Sequence, residues 1–113
     1  IGTYFYFFED TNENSNWCRS LYTDTAESFI GSALGEGHTV YTKAGWYSDW
    51  EDIARNDAGI IRAGGHDWIL TIMSDAFESY DELEALAAAL DEVRKLMPYG
   101  ELEIAEAADF SKP

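Results

Sequence analysis

Three scarcities close off most classes of function: one cysteine, seven basic side chains and no long apolar run in 113 residues. Cys18 has no partner within the chain, so no internal disulfide forms, and a lone cysteine reads as a small apolar residue rather than a reactive thiol. Seven Lys and Arg against 22 Asp and Glu leave a formal charge of −15. No stripe of cations is available to neutralise phosphates, so no nucleic acid is expected as a partner, and no anionic membrane surface either. The acidity itself reads as a solubilising surface. No apolar run reaches the ~20 residues of a membrane span, and no export signal is visible. The chain opens on Ile1, not methionine, so it is expected to begin inside a longer protein or after processing. With two histidines and one cysteine, Glu51, Asp52 and Asp57 lack the company a transition-metal site needs, so no metal and no cofactor is expected.

What is present is a hydrophobic content of 46% with 15% aromatics, which suits one small domain with one packed core, residues 1–113. Its centre is the stretch from His38 to Ser74. Thr39-Val-Tyr-Thr-Lys-Ala-Gly45 is β-rich, as are Asp57-Ala-Gly-Ile-Ile61 and Trp68-Ile-Leu-Thr-Ile-Met73. Gly64-Gly65 between the last two runs predicts a tight hairpin, because glycine accepts positive φ without steric cost. The expectation is an antiparallel meander with strands at about 39–45, 57–63 and 66–74. Residues 46–56 then form a polar loop in which Trp46, Tyr47 and Trp50 cluster. His38 and His66 read as solvated turn residues at strand ends.

Helices are expected on either side. Asp10-Thr-Asn-Glu-Asn-Ser-Asn16 starts like a calcium loop, but that pattern needs glycine at the sixth position and glutamate at the twelfth, where Ser15 and Leu21 stand. It reads as an Asx-rich turn that caps a short helix over Trp17–Tyr22. Asp24 or Thr25 is expected to cap a second helix, Ala26 to Leu34, with Phe29, Ile30 and Ala33 facing inward. Ser79-Tyr-Asp-Glu82 is a capping-box pattern opening a long helix at about 80–97. Leu83, Leu86, Ala87, Leu90, Val93 and Met97 give that helix one apolar stripe, and Pro98 stops it. The stripe is expected to cover a face of the meander through Leu83, Leu86 and Leu90. Residues 99–113 read as an acidic tail. The class is α+β.

Lys43-Ala44-Gly45-Trp46 at a strand end, followed by Asp57-Ala58-Gly59-Ile60, a hydrophobic strand and a long helix, resembles the C-terminal part of the serine β-lactamase and penicillin-binding-protein superfamily. That superfamily carries Lys-Thr-Gly on the strand bordering its active site. The resemblance covers roughly residues 17–97 and implies a substrate-binding role for four residues. Lys43 would hold a substrate carboxylate by charge-assisted hydrogen bonds. Gly45 would let substrate approach the backbone. The backbone N–H of Trp46 would serve as an oxyanion donor in acyl transfer on an amide or ester. Ala44 departs from the pattern, because Thr or Ser usually stands there. Tyr47 and Trp50 are candidate ligand-packing residues. For residues 1–8, Ile-Gly-Thr-Tyr-Phe-Tyr-Phe-Phe, propensity points to a strand, while the resemblance implies the end of a helix that began upstream, which is the reading adopted.

The nucleophile motif Ser-x-x-Lys is absent, as is Ser-x-Asn. Catalysis of this class needs serine, base and lysine strand to converge, so the chain is expected to be inactive alone, the C-terminal fragment of a larger β-lactamase-like, transpeptidase-like domain. The resemblance also implies work outside the cytoplasm. The other function class open to it is a non-catalytic acidic binding module using the aromatic residues 46–50. The strand 68–73 is apolar on both faces yet terminal in the meander. It is therefore expected to pair with the missing N-terminal part of the domain, with residues 1–8 or 101–106, or with a second copy.

Overall fold

The structure, a computed structural model, describes residues 1–9, 12–23, 25–49, 53–75 and 80–98. Along them run α1 (Gly2–Phe8), α2 (Glu13–Ser20), α3 (Phe29–Ala33), β1 (Thr39–Ser48), β2 (Ile53–Ala63), β3 (His66–Ser74) and α4 (Tyr80–Arg94). The three strands form one antiparallel sheet in the order β1-β2-β3, with Thr42 opposite Gly59 and Gly59 opposite Leu70. Gly64 and Gly65 both hold positive φ, +59° and +77°, as a two-residue hairpin with the right twist demands.

The meander is the expected one with longer arms. β1 continues to Ser48 and β2 begins at Ile53. Trp46 and Tyr47, assigned to a loop by the sequence reading, are strand residues, paired with Arg55 and Ala54. Aromatic rings favour the pleated surface, and Arg55 is carried into the ladder opposite Trp46 and Asn56 opposite Gly45. Asn56 earns its place by accepting a hydrogen bond from the backbone N–H of Ser74 at 3.1 Å.

Side chains alternate across the sheet and give it two unlike faces. The core face carries Ile61 and Ile72, which cluster with Phe29, Ile30 and Leu34 of the α3 region and with Leu83 and Ala87 of α4. Gly59 lies beneath α3 because a Cβ there would stand 2.9 Å from the Thr42 methyl carbon and 3.6 Å from Ile30. The far face carries Tyr41, Lys43, Ala58, Ile60, Ile69 and Thr71. Helix α1 lies across part of it: Phe8 meets Tyr41 at 5.5 Å between ring centroids, and the Arg62 guanidinium sits 4.0 Å over the Phe8 ring. The aromatic run 1–8 is thus helical, its rings stacked at i and i+4, with Tyr4 and Phe8 at 5.2 Å. Although β3 is apolar on both faces, its far face is less buried than its core face, where Ile72 is enclosed. Met73 is 80% exposed and Ile69 37%, because α1 reaches only part of the far face.

The helices also correct several boundaries. α2 starts at Glu13, four residues before the expected Trp17, because the Asn12 side chain accepts from Ser15 N–H while Ser15 Oγ accepts from Asn12 N–H. α3 covers only Phe29–Ala33, capped by Ser28; Glu27 holds φ +61°, outside helical backbone, and Thr25 spends its hydroxyl elsewhere. α4 ends at Arg94, where backbone bonds tighten to Leu96→Val93 and Met97→Arg94 ahead of Pro98. Its buried apolar residues are Leu83 and Ala87, with Leu90 packed at the margin, while Leu86 is 43% exposed. His38 is no solvated turn residue: its Nε2 lies 3.2 Å from the buried Asp91 carboxylate, and Arg94 donates to the same carboxylate at 3.0 Å. Asp24, Trp50, Ser79 and the tail 99–113 lie outside the described residues. Among the described residues no helix is long and apolar enough to cross a membrane, and no cluster of three or more His, Cys, Asp or Glu is placed to hold a metal ion.

Candidate active-site edge

Among the described residues β1 is an edge strand, and its outer side is occupied for only part of its length. The backbone N–H of Thr42 donates outward to the Tyr22 carbonyl at 2.9 Å, and the Thr25 hydroxyl donates to the Thr42 carbonyl at 3.1 Å. The Thr25 and Thr42 hydroxyls also meet at 2.8 Å. In an antiparallel strand, the residues whose N–H and C=O point away from the neighbour alternate. With Thr42 pointing outward, the backbone groups of Ala44 and Trp46 point outward as well. Tyr22 and Thr25 therefore close the edge at Thr42, and the edge from Lys43 onward presents the Ala44 carbonyl and the Trp46 N–H.

The four residues of the motif are divided between the two faces. Lys43 is exposed on the far face, and its Nζ donates to the Ala44 carbonyl, so the ammonium rests at the strand edge. Ala44 is buried on the core face opposite Asp57. Among the described residues, nothing lies within 4 Å of where a Cβ on Gly45 would stand, which leaves room for an incoming group. Trp46 and Tyr47 are 51% and 58% exposed and, as consecutive strand residues, lie on opposite faces. The single aromatic cluster expected of them does not form between these two; Trp50 is outside the described residues.

The residue that sequence reasoning underused is Asp57. It is fully buried in β2, and its Oδ2 accepts from the Ser28 hydroxyl at 2.7 Å and from the Ile30 N–H at 3.0 Å. Ser28 Oγ in turn accepts from Gly31 N–H at 2.8 Å. The carboxylate thus pins the start of α3 to the strand that backs the motif. Burial pushes the Asp57 carboxyl above the usual range, against the hydrogen bonds from Ile30, Ser28 and Ala58 and the charge of Lys43, which pull it down. The signal available in the sequence was an acid between strand residues, a position costly to bury unless it is hydrogen-bonded.

Farther along the sheet, Arg62 grips Asp67 through two bonds of 2.6 and 2.8 Å, and Tyr4 donates to Asp67 at 2.9 Å. The bond from Arg62 is the main reason the Asp67 carboxyl sits below its ordinary value. This trio fastens α1 to the sheet well away from Lys43.

A sequence model of the Beta-lactamase enzyme family matches residues 10–93, which takes in every element from α2 to nearly the end of α4. No curated protein matches the chain, and no solved structure does.

Proposed function

The chain belongs to the Beta-lactamase enzyme family, and from that premise we propose that β1 from Lys43 to Trp46 is one wall of the acyl-transfer site of a serine hydrolase acting on an amide or ester. The observation carrying this reading is the direction of the strand edge: Thr42 N–H points outward to Tyr22, so Trp46 N–H points to the same, open side. There it is available as an oxyanion donor, with the Lys43 ammonium beside it for a substrate carboxylate. Ala44 offers neither a hydroxyl nor an exposed side chain, so substrate recognition of the usual Thr or Ser kind is not expected.

The wall is incomplete by itself. Ser-x-x-Lys is absent, so the nucleophile and its base must come from further chain. Incubation of this chain with a fluorescent penicillin, followed by mass spectrometry, is expected to give no adduct. A stoichiometric serine adduct would overturn the proposal of incompleteness.

The same reading assigns a partner to β3. Among the described residues no strand pairs with its outer edge, and Trp68, Ile69 and Leu70 border an apolar groove of about 590 Å³ between that edge and α4. The proposed occupant is a strand from the missing part of the domain, or from a second copy. Slow amide exchange at the outward N–H groups of β3 is expected once that strand is present. Exchange as fast as a free edge in the completed protein would remove the pairing.

A second reading rests on Trp46 and Tyr47, whose exposure on both faces of the strand end suits an acidic binding module without catalysis. A nucleophile-bearing segment in the complete gene product would decide between the two.

A further inference from the structure

A cavity of about 360 Å³ lies on the far face of the sheet, under the flank of α1. Four rings line it: Tyr4 and Phe7 from α1, Tyr22 from the segment that closes the β1 edge, and Tyr41 from β1. Ile60 and Ile69 contribute its floor. Among the residues that line it, Lys43 carries the only charged side chain. The volume falls in the range that holds small ligands, and such sites combine apolar walls with a few placed polar groups.

We propose that this cavity is a ligand subsite for a carboxylate bearing an aromatic or branched apolar group, the carboxylate taken by Lys43 and the apolar group lodged among the rings. The inference rests on the reading of Lys43 as a carboxylate-binding residue and adds to it the class of substituent. Three features carry it. First, Lys43 and the cavity share one face of β1, because Tyr41 and Lys43 are two residues apart in the strand. Second, Lys43 is exposed and lines the cavity, while its ammonium is held at the strand edge by the Ala44 carbonyl. Third, no Asp or Glu is among the residues that line the cavity, and the carboxylate bonded to its Tyr4, Asp67, is held by Arg62. An apolar ligand without charge would gain only from the rings; a small carboxylate without a ring would gain only from Lys43.

The test uses the whole 113-residue chain and three probes, acetate, benzyl alcohol and phenylacetate, titrated by nuclear magnetic resonance. Phenylacetate is expected to bind at least tenfold more tightly than either of the others. Lys43→Met is expected to bring phenylacetate down to the level of benzyl alcohol. Thr71→Trp, which places a ring at an exposed position on the cavity wall, is expected to weaken phenylacetate at least fivefold and leave acetate unchanged. If phenylacetate binds no better than acetate and both depend on Lys43, the carboxylate reading stands and the cavity is not a subsite. If phenylacetate binds tightly and ignores Lys43→Met, the role given to Lys43 falls, and the proposal with it. Absence of any binding, with the fold intact by circular dichroism, also overturns it.

Discussion

The two faces of the sheet are built from the same three strands, yet they hold different kinds of side chain in different ways. On the core face the contacts are dense: Ile61 is fully buried in the cluster with α3 and α4, and the buried Asp57 is held by two hydrogen bonds at the start of α3. On the far face α1 covers only one end, through the Phe8–Arg62 stack and the Tyr4–Asp67 bond, and leaves Lys43, Ala58, Thr71 and Met73 exposed. The lesson is a division of labour. Stability comes from the face where alternation meets α3 and α4, and the proposed binding chemistry lies on the face and edge that α1 covers only in part.

The largest effect that could break this comparison is a matched pair of truncations. Ile61→Ala on the core face is expected to cost about 2–5 kcal/mol, and Ile69→Ala on the far face about 1 kcal/mol or less. Urea unfolding of both variants measures the difference. Equal losses would mean that the far face is as much a core as the other.

Next in size is Asp57→Ala, which strands the Ile30 N–H and the Ser28 hydroxyl and is expected to cost about 1–3 kcal/mol. The pH dependence sharpens the point, using Asp57→Asn as the variant that does not titrate. Because burial raises the Asp57 pKa in the folded state, the native protein takes up this proton before the unfolded chain does as pH falls. The parent's stability relative to Asp57→Asn should therefore rise as pH falls from the raised value toward the ordinary aspartate range, and shrink again toward neutrality. Asp67 works in the opposite sense. Its pKa is lowered by Arg62, so its contribution is present above the ordinary aspartate value and lost as pH falls from there through the lowered one. Thermal melts of parent and Asp57→Asn between about pH 4 and about pH 7 isolate the Asp57 part. A gap that widens toward neutrality would mean that the buried carboxylate is stabilised as the anion.

The smallest expected effect is at Leu86. It lies on the exposed side of α4, so Leu86→Asp is expected to cost about 1 kcal/mol or less, whereas Leu83→Asp should unfold the domain by burying an unpaired charge. Melting both variants checks which side of the helix is packed.

That last contrast shows where the sequence was and was not legible. The meander, the Gly64-Gly65 turn and the long helix follow from propensity, turn chemistry and periodicity, all of which are local. The phase of the helix is less local. The stripe contained Leu83, Leu86, Ala87, Leu90, Val93 and Met97, and it is packing against α3 that selects Leu83 and Ala87 as the buried pair. Strand ends were missed at Trp46–Ser48 and Ile53–Asn56 because the polar residues Arg55 and Asn56 look like loop until they are paired. At the candidate site, Lys43 to Trp46 were visible as a motif. The closing of the edge at Thr42 by Tyr22 and Thr25 was not, because those bonds join residues with no common pattern. For the same reason Thr25 was read as a helix cap, a task that falls to Ser28.

Gly64 and Gly65 also set an order in time. They close the shortest connection in the sheet, and closing a loop costs less entropy the shorter it is. A β-hairpin of this kind forms in about 1–10 μs, so β2 and β3 are the pair a folding chain finds first. The Tyr4–Asp67 bond, by contrast, joins residues 63 positions apart. During synthesis α1 leaves the ribosome long before Asp67 exists, and its aromatic rings must wait through that interval without the sheet that covers them. The cavity beneath α1 is therefore among the last features of the molecule to take shape.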